Sequence, residues 1–106
     1  MTIRKTFVFQ LKPGNKHEYK RRHDELWPEM KEFIKENGVH NYSISILEET
    51  NQLFGYAEIE SVDKWNRMAE SDVSQRWWKY MSDIMEPNDS NSGPICSDLR
   101  ELFYLK

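Results

Sequence analysis

Short runs of apolar and β-branched residues recur along the chain, and turn-forming residues separate them. The run over residues 3–11 has the composition of a strand. Two further runs, residues 39–47 and 53–60, flank a short polar turn at 48–51, which is typical of a β-hairpin. Residues 99–105 have the same strand-like character. The pattern therefore predicts four strands.

Helical periodicity fills the first gap between these strands. Asn15, followed by Glu18 three residues later, has the spacing of a capping box and predicts a helix over residues 16–26. Pro28 interrupts the pattern, and a residue that precedes proline is disfavoured in α geometry. The sequence therefore predicts a kink or a break at Trp27, after which a second helical segment continues.

A second helical region lies between the third and fourth predicted strands. Ser61 or Asp63 can cap its first helix, and Ser71 begins a further periodic segment that extends to Met85. Residues 86–94 are rich in Pro, Asn, Ser and Gly, which predicts a loop.

The predicted order is β-α-β-β-α-β, which is the ferredoxin-like arrangement of the α+β class. We expect one domain, residues 1–106, with an antiparallel sheet and helices on one face. The strands carry large apolar residues on both faces, since Phe7 alternates with Val8 and Leu53 with Phe54. A sheet that is apolar on both sides needs cover on both sides. This pattern predicts a two-fold homodimer whose sheets pack together.

Charge and composition narrow the classes of partner. The formal net charge is -3 and no block of basic residues dominates, which argues against nucleic acid. No apolar run approaches the ~20 residues of a membrane helix, and the N-terminus lacks the pattern of a signal peptide. Cys96 is the only cysteine, which fits a reducing compartment. We expect a soluble, intracellular protein that binds neither nucleic acid nor membrane.

Candidate chemistry lies on the first predicted helix. Tyr19, His23 and Trp27 are spaced four residues apart, which places them in one stripe along a helix. The stripe combines a phenol, an imidazole that titrates near neutral pH, and an indole. These groups suit a polar, ring-shaped ligand whose reaction needs a proton transfer. The same spacing is also compatible with a purely structural His23, whose imidazole forms a hydrogen bond with a backbone carbonyl.

Three other aromatic residues are candidate ligand-binding residues. Trp77 and Trp78 are adjacent and point about 100° apart on a helix, so one can pack in the core while the other faces a pocket. Tyr42 is predicted on the same strand face as His40 and Ile44, where it either belongs to the core or lines a cavity.

Metal and nucleophile chemistry have weak support. His17 and His23 are six residues apart, which differs from the four-residue spacing of a zinc-binding helix. Cys96 has no histidine close to it in sequence. The residues therefore give little support for a metal site or for a nucleophilic cysteine.

Taken together, the segments EYKRRHDELWPEM, GVHNYSI and SDVSQRWWKYMSDIM resemble the L-rhamnose mutarotase family, over essentially the whole chain. The resemblance implies an isomerase that interconverts the α and β anomers of L-rhamnose. It implies His23 as proton donor and Tyr19, Tyr42, Trp77 and Trp78 as sugar-binding residues. It also implies a cytoplasmic homodimer, a dimeric α/β barrel of ferredoxin-like chains, with no cofactor or metal.

Two alternatives remain open from the residues alone. One is another ferredoxin-like dimeric enzyme, such as a cofactor-free or haem-linked monooxygenase, which would show haem or quinol-dependent oxygen uptake. The other is a sugar sensor that binds rhamnose without accelerating anomer exchange.

Overall fold

A computed structural model describes residues 2–86 and 96–106 of the chain. Within them the elements are, in order, β1 (Ile3–Gln10), α1 (Lys16–Asp24), α2 (Pro28–Glu36), β2 (Val39–Leu47), β3 (Gln52–Ile59), α3 (Val62–Met68), α4 (Asp72–Met81) and β4 (Cys96–Leu99). No helix of these residues is long and apolar enough to cross a membrane. Apart from Glu86, the loop predicted over residues 86–94 lies outside the described residues.

The four strands form one antiparallel sheet in the order β2-β3-β1-β4. This confirms the ferredoxin-like topology, in which β3 is inserted between β1 and β2. Phe7 of β1 and Ile44 of β2 both pair with Gly55 of β3. A Cβ atom at Gly55 would lie 2.1 Å from the Phe7 ring, so the close approach of this ring requires glycine.

One face of the sheet packs against the helices and holds the core. Alternate residues of β3 are buried, as expected for a strand covered on one side. The larger core cluster consists of Leu11, Met30, Leu53, Val73, Trp77, Met81, Ile84 and Met85. The smaller cluster consists of Phe7, Val39, Ala57 and Ile59. The helices therefore cover one face, as predicted.

The proline divides the first helical region into two helices. Trp27 has φ -55° and ψ 133°, outside the α region, and Pro28 begins α2. α1 has already ended at Asp24. The sequence left a kink or a break open, and the structure has a break.

The helix starts agree with the sequence in two of three cases. Ser61 and Ser71 cap α3 and α4, because each hydroxyl accepts a hydrogen bond from the backbone N–H three residues later, at 3.2 Å. The capping box predicted at Asn15 is wrong. Its amide turns back and donates to the carbonyls at residues 12 and 13, while Glu18 binds two arginines instead.

Two strand predictions also need correction. The last strand spans Cys96–Leu99, and residues 100–106 have no regular structure, because β1 pairs with β4 only from Thr6 to Phe9. In β2 the pairing shifts between His40 and Ser43. His40 therefore pairs with Glu58, on the face opposite that of Ile44. This bulge includes Asn41, whose φ is 49°.

Candidate active site

Helix α1 places Tyr19 and His23 in direct contact. Their rings stack with centroids 4.2 Å apart and an interplanar angle of 25°. Nδ1 of His23 lies 3.0 Å from the carbonyl oxygen of Tyr19. A carbonyl only accepts, so Nδ1–H is the donor in this hydrogen bond. In the neutral ring, Nε2 then carries the free lone pair, which makes it the nitrogen that can exchange a proton with a ligand.

The surroundings of His23 favour this neutral form. Burial lowers the pKa of His23, although the Tyr19 carbonyl and the Asp24 carboxylate act in the opposite direction. Since an ordinary histidine has a pKa of ~6.5, His23 is mostly uncharged at neutral pH. It is therefore a base at rest and becomes an acid once it has accepted a proton.

Helix α4 brings Trp77, the first of the tandem tryptophans, against this pair. The Trp77 ring meets His23 edge to face, with centroids 5.3 Å apart and an angle of 89°. Trp77 has only 6% of its surface exposed and belongs to the larger core cluster. Trp78 is half-buried and packs on the outside of that cluster. One tryptophan is thus core and its neighbour is accessible, as the helical geometry predicts.

Tyr42 lies within electrostatic range of Tyr19, but its ring contacts are with other residues. Its ring packs against Phe7, with centroids 5.9 Å apart, and against Trp65, with centroids 6.3 Å apart. Burial raises the pKa of Tyr19, and a charge on Tyr42 would raise it further, so the two phenols share one electrostatic neighbourhood. The pKa of Tyr42 is raised by burial and then by Cys96.

Both phenols are available as hydrogen-bond donors. Tyr42 has 39% of its surface exposed. Burial raises the pKa values of Tyr19 and Tyr42, so both hydroxyls remain protonated at neutral pH and can donate hydrogen bonds.

The structure adds residues that the sequence did not single out as functional. Tyr80 lies with its ring centroid 5.6 Å from those of Trp27 and Trp77, and Trp27 meets Trp77 edge to face at 5.1 Å. Tyr80 follows Trp77 by three residues, which is a helical-neighbour spacing that the sequence contains. Arg22 is buried beneath this group. Its distant partner Asp83 has no local sequence signal.

Three other features are weaker candidates for a functional site. An open pocket of about 230 Å³ lies beside the start of α1, but it contains none of the predicted site residues, and its charged residues Lys16 and Glu48 are paired with each other. Burial raises the pKa of Cys96 to about 11, which keeps it a thiol and a poor nucleophile. Over the described residues, no cluster of three or more His, Cys, Asp or Glu side chains could hold a metal ion.

A model of the L-rhamnose mutarotase family matches residues 4–105. The chain belongs to this family. It is 52% identical to an L-rhamnose mutarotase of Shigella flexneri serotype 5b over 103 residues, which cover 97% of this chain and 98% of that protein. It is 50% identical to an L-rhamnose mutarotase of Escherichia coli K12, with the same coverage. The resemblance seen in the sequence is confirmed.

Solved structures agree with this membership. A crystal structure of an L-rhamnose mutarotase from Formosa agariphila has a TM-score of 0.88 and 40% identity, and the match covers 98% of this chain and 99% of that one. A candidate antibiotic biosynthesis monooxygenase from Bordetella bronchiseptica has a TM-score of 0.68 at 14% identity, covering 96% and 98% of the two chains. That second likeness shows the shared ferredoxin-like fold alone.

Proposed function

We propose that this chain interconverts the α and β anomers of L-rhamnose by acid–base catalysis. The observation that carries the proposal is the hydrogen bond from His23 Nδ1 to the Tyr19 carbonyl, which leaves Nε2 available for proton exchange. The relatives that share half or more of their residues with this chain are named as L-rhamnose mutarotases. An isomerase activity on this sugar accounts for the available His23 nitrogen and for the similarity to these relatives.

Mutarotation needs two coordinated proton movements. The anomeric hydroxyl loses its proton, the bond from the anomeric carbon to the ring oxygen breaks, and the ring oxygen gains a proton. Rotation of the free aldehyde and the reverse steps then give the other anomer. Acid–base groups of this kind contribute about 10²–10⁴-fold each, without a metal or cofactor. The anomers of the sugar already interconvert spontaneously in water, so an acceleration of this size is sufficient.

In this mechanism His23 protonates the ring oxygen. Its lowered pKa makes the imidazolium a stronger acid, while the neutral resting form can first take up a proton. The raised pKa values of Tyr19 and Tyr42 favour them as hydrogen-bond donors to sugar hydroxyls over a role as bases. Neutral Nε2 takes up the proton that the anomeric hydroxyl loses, relayed by a bound water or by a tyrosine hydroxyl that donates one proton as it accepts another. The imidazolium then delivers this proton to the ring oxygen.

The tandem tryptophans supply the apolar wall. Trp78, which is the more accessible of the two, would stack on an apolar face of the sugar, and Trp77 would present an edge beside His23. The C6 methyl of the 6-deoxy sugar favours such a wall, but one methyl discriminates by only ~1–3 kcal/mol. Selectivity then rests mainly on the tyrosine hydroxyls.

Saturation transfer between the two anomeric protons of L-rhamnose tests the activity directly. We expect the exchange rate to rise with the concentration of protein and to fall by about 10²-fold or more in His23→Asn. The asparagine keeps a polar side chain of similar size, and sugar binding, seen as line broadening, should remain. Binding without faster exchange in the wild-type protein would instead identify a sugar sensor.

The open face of the sheet supports a homodimer. Arg4 binds both carboxylate oxygens of Glu101 at 2.9 Å and lies 3.4 Å from the centre of the Tyr104 ring, which fixes the C-terminal segment against β1. Leu102 and Phe103 nevertheless expose 91% and 80% of their surfaces. A second copy of the chain would cover these side chains and pair the two sheets as a dimeric barrel.

Sedimentation of Phe103→Ser tests this dimer. We expect dimers of the wild-type protein at micromolar concentration and monomers of the variant, because the substitution removes an exposed ring from the proposed interface. Val62→Ser on α3 removes a partly exposed apolar residue from the helical layer and should stay dimeric. A wild-type monomer would contradict the proposal.

The proposed setting is the cytoplasm, where the free thiol of Cys96 would stay reduced. The proposed partners are a small sugar and a second copy of this chain, and neither nucleic acid nor membrane is among them.

A further inference from the structure

Arg22 joins the polar helix α1 to the rest of the molecule. Of the nine residues of α1, all of which the structure describes, Arg22 alone is buried, with 9% of its surface exposed. Arginine is rarely buried unless its charge and its N–H groups are paired. Its position inside the molecule therefore has to be explained by its partners.

These partners lie on two separate parts of the chain. Within α1, Nε of Arg22 donates to Glu18 at 2.7 Å. Across the interface, Nη1 and Nη2 donate to the two carboxylate oxygens of Asp83 at 2.9 and 3.1 Å, and Nη1 also donates to the carbonyl of Tyr80 at 2.9 Å. The guanidinium lies 4.6 Å from the centre of the Tyr80 ring. One side chain thus ties α1 to the C-terminal end of α4.

This tie lies next to the candidate acid–base residue. Arg22 and His23 are adjacent on α1, while Tyr80 contacts Trp77, the residue whose ring meets His23. Whatever fixes Arg22 against the end of α4 therefore also fixes the distance between His23 and Trp77. A displacement of about 1 Å in a reacting group can change a rate by about 10²-fold.

We propose that Arg22 is a positioning residue for His23, and that its forked contact with Asp83 and Tyr80 holds α1 in the orientation that anomer exchange requires. Arg22 acts through His23 and does not itself touch the reacting atoms. The planar guanidinium can span both oxygens of a carboxylate, whereas the ammonium of lysine binds as a single point. The inference rests on the mutarotase activity proposed above.

The variant Arg22→Lys tests this inference because it keeps the charge and removes the fork. We expect kcat for L-rhamnose exchange to fall at least about tenfold. We also expect the ring-proton NMR resonances of His23 to shift, because they sense the ring of Trp77. Arg21→Lys is the matched control. It is the neighbouring residue, pairs with Glu18 and is about half exposed, and its replacement should change neither quantity.

Asp83→Asn provides a second route if Arg22→Lys does not fold, since it leaves Arg22 in place and weakens the link to α4. We expect a smaller fall in kcat and a shift of the His23 resonances in the same direction. Unchanged kcat and resonances in the folded variants would overturn the inference, and so would a change in only one of the two in an active protein.

The His23 resonances report on positioning even if the wild-type protein does not accelerate exchange. Failure of the proposed activity would therefore be recognised separately from failure of this inference.

Discussion

The two helices that carry the candidate site are stabilised in different ways. Helix α4 buries Val73, Ser74, Trp77 and Met81, so its orientation follows from apolar packing. Helix α1 buries Arg22 alone, and the rest of its sequence is almost entirely polar. The proposed apolar wall of the site is therefore held by the core, whereas the proposed acid–base residue is held by charged groups.

The two helices should therefore respond differently to changes in pH and salt concentration. Apolar packing depends little on pH and salt, whereas ion pairs depend on the protonation of their carboxylates and weaken as salt increases. Hydrogen bonds from Arg21 and then Arg22 lower the pKa of Glu18 to about 2. A hydrogen bond from Arg22 likewise holds the pKa of Asp83, the carboxylate that joins α1 to the end of α4, below its usual range. The charged contacts of α1 thus persist at neutral pH, and they position the helix together with Tyr19, which packs against the core.

Stability measurements on one residue from each helix give the largest expected difference. Trp77→Ala removes a buried indole and should lower the free energy of unfolding by about 3–5 kcal/mol, from the lost burial and the cavity left behind. His23→Asn should lower it by only about 1 kcal/mol. Urea denaturation of both variants measures the two values. Equal losses would contradict the comparison between the helices.

The pH dependence of exchange gives an intermediate effect. Because burial lowers the pKa of His23, the neutral form persists to more acidic pH than that of a free imidazole. We expect a constant enzymatic rate near neutral pH and a fall of about tenfold per pH unit below the lowered pKa. Saturation transfer between pH 4.5 and 8, with the spontaneous rate subtracted, measures this. A midpoint above ~6.5 would contradict the effect of burial.

The smallest effect concerns an ion pair on the exposed side of α1. Lys20 donates to Asp24 one helical turn later, and both side chains are largely exposed. Lys20→Met should therefore change the free energy of unfolding by no more than about 0.5 kcal/mol. A loss above about 1 kcal/mol in urea denaturation would mean that the exposed pairs of α1, in addition to Arg22, determine its position.

The sequence predicted the fold wherever a local pattern decides the structure. Strand alternation, the hairpin, the interruption of the helix at Pro28 and the serine cap at Ser71 all depend on neighbouring residues, whereas the choices of a break over a kink and of Ser61 over Asp63 were left open. The errors have non-local causes. The Asn15 side chain donates hydrogen bonds to nearby backbone carbonyls, and Glu18 accepts hydrogen bonds from arginines, so neither caps the helix.

The bulge at Asn41 and the position of β4 were missed for similar reasons. A period of two residues contains no information about a single inserted residue in a left-handed conformation. The last strand stops where Arg4 of β1 turns to Glu101 and Tyr104, so the apolar alternation that follows Leu99 does not continue the sheet. Both features depend on partners far away along the chain.

The candidate site was predicted in part. The four-residue spacing placed Tyr19 beside His23, and the adjacent tryptophans divided into one buried and one accessible residue. The contact between His23 and Trp77 and the burial of Arg22 required the packing of α1 on α4, which no spacing encodes. The roles of these residues in catalysis stay predictions.

The close fit of Phe7 against Gly55 has a consequence for the evolution of sugar preference. Even the smallest side chain at Gly55 would push the Phe7 ring, and that ring supports Tyr42. Substitutions at this buried strand position would thereby move Tyr42, one of the proposed sugar-binding residues. Selection for acceptance of a different sugar would accordingly recover changes beneath the proposed binding residues as well as among them.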